Sequence, residues 1–161
     1  MKPTFWNHQQ IQALGELLRQ QAAEIASHEE AAPVLFIIPK EGEMEIVGII
    51  LTELAKATFQ ENVAALLRAK QAIAYCFVCE GWATRPQSLE TINRITSGDI
   101  AVSELPPDDR FEILIFNEVE NGQPARIYQS EIKRGYNNVR IVQPWTQLSG
   151  SHSGRMMVNQ W

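Results

Sequence analysis

The chain has 161 residues, of which 45% are hydrophobic and 20% charged, the composition of one ordinary globular domain with no room for a second full core. At this length folding withdraws roughly 68–70% of the unfolded chain's surface from water, so neither metal nor disulfide staples are required. Fourteen basic against nineteen acidic residues leave a net charge of −5, the wrong sign for a domain that neutralises many phosphates.

From Phe5 to about Ser27, Ile11, Leu14, Leu18 and Ile25 recur at helical spacing, with Leu17 and Ala22 widening the stripe, which predicts an amphipathic helix. Thr4 or Asn7 is placed to cap its start, and His28, Glu29 and Glu30 mark its end. Val34 to Ile38 is a β-branched, apolar run between two prolines, read as a buried strand. Lys40-Glu41-Gly42-Glu43 is turn chemistry, so Met44 to Leu51 returns as the second arm of a hairpin. Thr52 to about Gln71 contains no glycine or proline and carries Glu53 in its first turn and Arg68 and Lys70 in its last, the charge order that suits a helix dipole.

Ile73 to Trp82 is aromatic and aliphatic throughout, the pattern of a central strand covered on both faces. The connection Ala83 to Asp109 is long for a compact domain and is expected to be a functional loop or to hold a short helix at Leu89 to Ile95. Arg110 to Glu118 and Ala125 to Lys133 flank Asn121-Gly122-Gln123-Pro124 as a second hairpin. The expectation is an α+β fold: a single domain over residues 1–134, a mainly antiparallel five-stranded sheet, and two helices on one face in the order α-β-β-α-β-β-β. Residues 135–161, rich in Asn, Gln, Ser and Gly, read as an irregular C-terminal segment. Its Trp145, Met156, Met157 and Trp161 are expected to pack on the domain or on a partner chain. The element order is similar to that of profilin-like and longin-like domains, which serve as dimerisation modules, adaptors or ligand sensors.

Chemistry-bearing motifs are sparse. Cys76 and Cys79 stand at the spacing of a redox or zinc pair, but on a strand positions i and i+3 face opposite ways, so both read as buried structural thiols. With no secretory leader pattern, a reducing, cytoplasmic setting is the default. The apolar stretch Ile46 to Leu51 falls far short of the roughly 20 residues of a membrane span. His8, His28 and His152 are scattered, and Gly150-Ser151-His152-Ser153-Gly154 has histidine where a nucleophile elbow needs serine. Glu41, Glu43 and Glu45 alternate, which reads as an acidic hairpin tip in water. No phosphate loop or dinucleotide fingerprint is present, and no metal site or cofactor is implied.

The polar ends of two strands form the one candidate constellation. Counting by twos puts Ala74, Cys76, Val78, Glu80 and Trp82 on one face, and Arg110, Glu112, Leu114, Phe116 and Glu118 on one face of the next strand. Glu80, Trp82, Arg85, Arg110 and Glu112 therefore converge where the strands meet the long loop. Glu80 or Glu112 would be an acid or base, Arg110 or Arg85 an anion clamp and Trp82 a stacking wall. The competing reading, favoured because opposite-charge cross-strand pairs are a common way of stabilising sheets, is a cross-strand Arg–Glu pair beside a packed aromatic.

The residues Phe77-Val78-Cys79-Glu80-Gly81-Trp82, followed by Pro107 and Arg110-Phe111-Glu112, resemble a pattern in small, functionally uncharacterised bacterial and phage proteins over about residues 73–134. Those proteins carry serine where Cys79 stands and alanine where Gly81 stands. The resemblance implies a bacterial or phage origin and a shared hairpin, and no activity. Charge is also uneven: residues 99–120 hold seven acids against Arg110, whereas Arg126, Lys133, Arg134, Arg140 and Arg155 face only Glu131. The acidic stretch is expected to attract this basic region or a neighbouring subunit. A nucleic-acid contact through Arg126, Lys133, Arg134 and Arg140 is disfavoured by the acidic total. The sequence thus leans away from an enzyme and toward a non-enzymatic interaction or accessory domain, itself a homo-oligomer or bound to another protein. A small-molecule pocket beside the 83–109 loop is the alternative.

Overall fold

The computed structural model describes residues 6–50, 52, 56–148 and 157–161. It is an α+β fold built on one antiparallel sheet. The described elements are α1 (His8–His28), β1 (Val34–Pro39), β2 (Glu45–Gly48), α2 (Phe59–Ala69), β3 (Ala72–Thr84), α3 (Leu89–Thr96), β4 (Arg110–Glu120), β5 (Arg126–Arg134), β6 (Arg140–Val142) and β7 (Thr146–Gln147). The strand order is β2-β1-β3-β4-β5-β6, with β7 also paired to β5. Asn7 caps α1: its side chain accepts from the Gln10 amide while the Gln10 side chain accepts from the Asn7 amide, which satisfies two orphan donors at once.

β3 is apolar on both faces, and this decides the layering. Tyr75, Phe77 and Cys79 point to one side, where Phe59, Val63 and Leu67 of α2 and Val158 of the C-terminal segment cover them. Cys76 and Val78 point to the other, against Leu18, Ala22 and Ala26 of α1. The five-stranded sheet with two helices on one face is therefore corrected to seven strands and three α-helices among the described residues, with α1 and α2 on opposite faces. A strand buried on both sides needs a cover on each.

The C-terminal segment is also more ordered than its composition suggests. Residues 140–147 add β6 and β7 to the sheet, the Trp145 indole donates to the Arg19 carbonyl of α1 at 3.2 Å, and Trp161 packs against Tyr75 as a tilted ring pair with centroids 5.6 Å apart. Met157 is buried. Thr4, Glu53, Met156, His152 with its Gly/Ser surroundings, and Arg155 lie outside the described residues. Among those described, no helix is long and apolar enough to cross a membrane, and no three His, Cys, Asp or Glu side chains gather into a metal-holding group.

Both cysteines are free and buried on opposite faces of β3. Burial pushes the Cys79 thiol from its ordinary 9.0 up to about 12, with Lys56 opposing the rise and Glu80 adding to it. Burial, then the Glu118 carboxylate, drives Cys76 further in the same direction. Because the folded values lie above the unfolded ones, the thiols' contribution to stability is complete below pH 9.0 and is lost as pH rises toward 12. The native chain is expected to leave a thiol-reactive disulfide reagent unreacted at pH 8 and to expose both thiols once unfolded in guanidinium, while its stability declines between pH 9 and 12. Rapid labelling of the native state would contradict this packing.

Candidate functional site

β3 is thirteen residues long, but β1 pairs only with its first half, ending at Val34 opposite Val78. Beyond that point β3 keeps β4 on one side, down to Thr84 opposite Arg110, and among the described residues has no strand on the other. Register identifies which main-chain groups face the gap. The Asn121 amide donates to the Ile73 carbonyl, and the Arg85 amide to the Asp109 carbonyl, so odd-numbered β3 residues bond to β4. The amides and carbonyls of Glu80, Trp82 and Thr84 therefore point into the gap, where no backbone partner meets them among the described residues.

The 85–109 connection forms the opposite wall. Ser88 caps α3 by accepting from the Thr91 amide, the role that serine favours at a helix start. The chain then reverses at Gly98, whose φ of +82° favours glycine. A brace from Arg94 to Asp99 at 2.9 Å spans this turn, and Leu105 is buried as an anchor. Between wall and strand lies a groove of about 980 Å³ whose lining includes Trp82, Ile95, Ile100 and Val102 together with Glu80, Glu112, Arg134 and Arg140. None of the α3 residues is buried; Leu89 and Ile92 are exposed, so the helix presents apolar side chains that nothing in the described chain covers.

Glu80, Trp82 and Glu112 share the face and the groove. The Glu80 carboxylate accepts from the Arg140 guanidinium and from the Ala31 amide. Arg140 also donates to the Ala26 carbonyl at 2.6 Å, one of the unpaired carbonyls in the last turn of α1. This pair, with each side chain about 10% exposed, ties the end of α1 to β3 and β6. Glu112 takes both nitrogens of the Arg134 fork, at 3.0 and 3.1 Å, and this bonding, against a smaller burial effect, holds the guanidinium above its ordinary range. Both carboxylates thus meet arginines in charge-assisted pairs, and neither stands open as a general base.

Arg110 and Arg85 depart from expectation. Arg110 makes no ion pair with a carboxylate among the described residues. Its guanidinium lies 4.4 Å from the centre of the Trp82 ring and donates to the Ser103 carbonyl, stapling the arm to the sheet through a cation–π contact. Arg85 lies outside the groove, on the opposite face, over the Phe111 ring at 4.2 Å and paired with Glu131 at 2.7 Å. It stands three residues from Trp82, and an odd spacing reverses the face. Sequence reading missed Arg134 and Arg140 as groove residues because their partners are 22 and 60 positions away, which only strand register reveals. The basic stretch is largely internal: Arg126 binds Glu118 and Glu120, so the acidic β4 and basic β5 neutralise each other across the ladder.

Comparison with protein-family models, curated proteins and solved structures finds no match for this chain.

Proposed function

We propose that this chain is a non-enzymatic interaction domain that takes an extended segment of a partner protein onto the open edge of β3. The observation that carries this reading is the pairing of an unfilled strand edge at Glu80, Trp82 and Thr84 with a groove of about 980 Å³. A free edge is a template for one more strand: main-chain bonds supply affinity, and alternate side chains supply specificity. Trp82, 41% exposed, and the apolar residues of the arm would receive the alternate side chains of the added strand. The prior engagement of Glu80 and Glu112 argues against acid or base chemistry in the groove.

Strand addition makes a prediction that side-chain recognition does not. Proline is tolerated on an edge whose amide faces outward, so Trp82→Pro removes a docking donor without breaking the β3–β4 ladder. Linear peptides selected from a displayed library against the wild-type chain are expected to favour alternating apolar residues. They should lose at least tenfold in affinity for Trp82→Pro and much less for Trp82→Phe. Selected peptides that bind both variants equally would refute strand addition. If a second copy supplies the segment, oligomers will form that the proline variant dissolves.

A further inference from the structure

A second surface lies on the α1 face of the sheet and meets the β3-edge groove at Glu30. Strands sit about 4.8 Å apart, so the six-strand path spans about 24 Å, whereas a helix with its side chains is about 10–12 Å wide. One helix cannot cover it. α1 packs its Leu18, Ala22 and Ala26 over β3, β4 and β5 through Cys76, Val78, Leu114, Phe116 and Ile132. At the far end of β1, Trp6, Leu14 and Met44 close over Ile38. Between these covers an apolar cleft of about 290 Å³ remains, lined chiefly by Leu18, Gln21, Ala22, Ile25, Val34 and Phe36. Ile25 is 49% exposed, and Ile46, directly across from Phe36, is 63% exposed.

We infer that this cleft docks a basic amphipathic helix of a partner protein, lying beside α1 over β1 and β2. The place beside one helix on a sheet face is filled by another helix, whose apolar stripe would occupy the trough. Charge fixes the sign of the partner. The charged residues lining the cleft are Glu29 and Glu30; Glu30 also lines the β3-edge groove and lies in the field of Arg134, whereas Glu29 is exposed. At the other end of β1, Trp6 and Met44 close the trough, so the partner's lysines or arginines lie over the open, acidic end at Glu29. A second copy fits poorly, since its α1 would bring its own Glu24, Glu29 and Glu30 against the same acids.

The test uses two synthetic 14-residue helices with leucines at i, i+3, i+4 and i+7 spacing, one otherwise Lys/Ala and one Glu/Ala, titrated by fluorescence anisotropy into the full chain. The basic helix is expected to bind one to one and the acidic helix at least tenfold more weakly. Affinity for the basic helix should fall at least tenfold in Ile25→Lys, and likewise in Glu29→Lys. Both positions are partly or fully exposed, so unchanged circular dichroism and melting confirm that the variants fold. Binding that survives Ile25→Lys is surface adhesion of a cation and overturns the proposal. Equal binding of both peptides overturns it too, as does a chain that is dimeric by light scattering and made monomeric by Ile25→Lys, because a copy then fills the cleft.

Discussion

Gly15→Ala is expected to destabilise the chain by more than about 2 kcal/mol, although alanine in place of a mid-helix glycine ordinarily stabilises by roughly 0.5–1 kcal/mol. The reversal follows from a carboxylate beneath α1. A Cβ on Gly15 would stand 1.4 Å from Oε1 of Glu118, which is 1% exposed. Glu118 lies between Arg19 at 3.6 Å and Arg126 at 2.5 Å; Arg126 reaches on to Glu120 at 3.0 Å, and Glu120 meets His8 at 2.6 Å. The Arg19 guanidinium also lies 3.8 Å from the centre of the Tyr128 ring. Removing the carboxylate with Glu118→Ala leaves Arg19 without its carboxylate near the core and Arg126 with Glu120 alone, at an expected cost of about 3–5 kcal/mol. Once the carboxylate is gone, the added methyl no longer collides with it. The double variant should therefore fall short of the sum of the two singles by at least about 1 kcal/mol in urea unfolding. A stabilised Gly15→Ala protein would mean that α1 sits farther from β4.

Deleting residues 157–161 is expected to be comparably damaging. Val158 sits in the core with Phe59, Leu67 and Phe77. The Tyr75 hydroxyl donates to its carbonyl at 2.7 Å and accepts from its amide at 2.9 Å. Burial pushes that hydroxyl above the ordinary tyrosine range, partly offset by the Val158 bond. The Trp161 indole donates to the Ala72 carbonyl at 2.8 Å, and the Asn121 side chain holds both the amide and the carbonyl of Trp161. Truncation exposes the apolar contacts and leaves a buried hydroxyl without partners, together worth about 3–6 kcal/mol. That is a large share of the 5–15 kcal/mol a domain typically has. Thermal melting of the truncated chain should show a drop of at least about 10 °C, if not loss of the transition. A melting point within about 2 °C of wild type would show that the segment only rests on the surface.

Local pattern carried most of the elements. The β1 start at Val34, the β4 start at Arg110, the Asn7 cap and the short helix beginning at Leu89 all lie where side-chain period and turn chemistry put them. Layering was legible too, in the unbroken apolar run of β3, but two helices on one face would have left Tyr75, Phe77 and Cys79 bare. β6 and β7 escaped because three and two residues are too few to display a period of two; their pairing with β5 and the Arg140 contact to Glu80 define them instead. For the groove, counting by twos placed Glu80, Trp82 and Glu112 on one face. It could not supply Arg134 or Arg140, whose approach depends on long-range register, nor show that β1 stops short of Glu80.

The central claim is that the β3 edge at Glu80 and Trp82 is an open template for a partner strand. Residue-resolved hydrogen exchange of the free chain and of the chain saturated with a selected linear peptide tests it most directly. The account predicts that the Glu80 and Trp82 amides exchange quickly in the free chain while those of Cys79 and Gly81, bonded to β4, are protected, and that the peptide slows the first pair by at least tenfold. Glu80 and Trp82 amides already protected in the free chain, or unchanged in the complex, would contradict it.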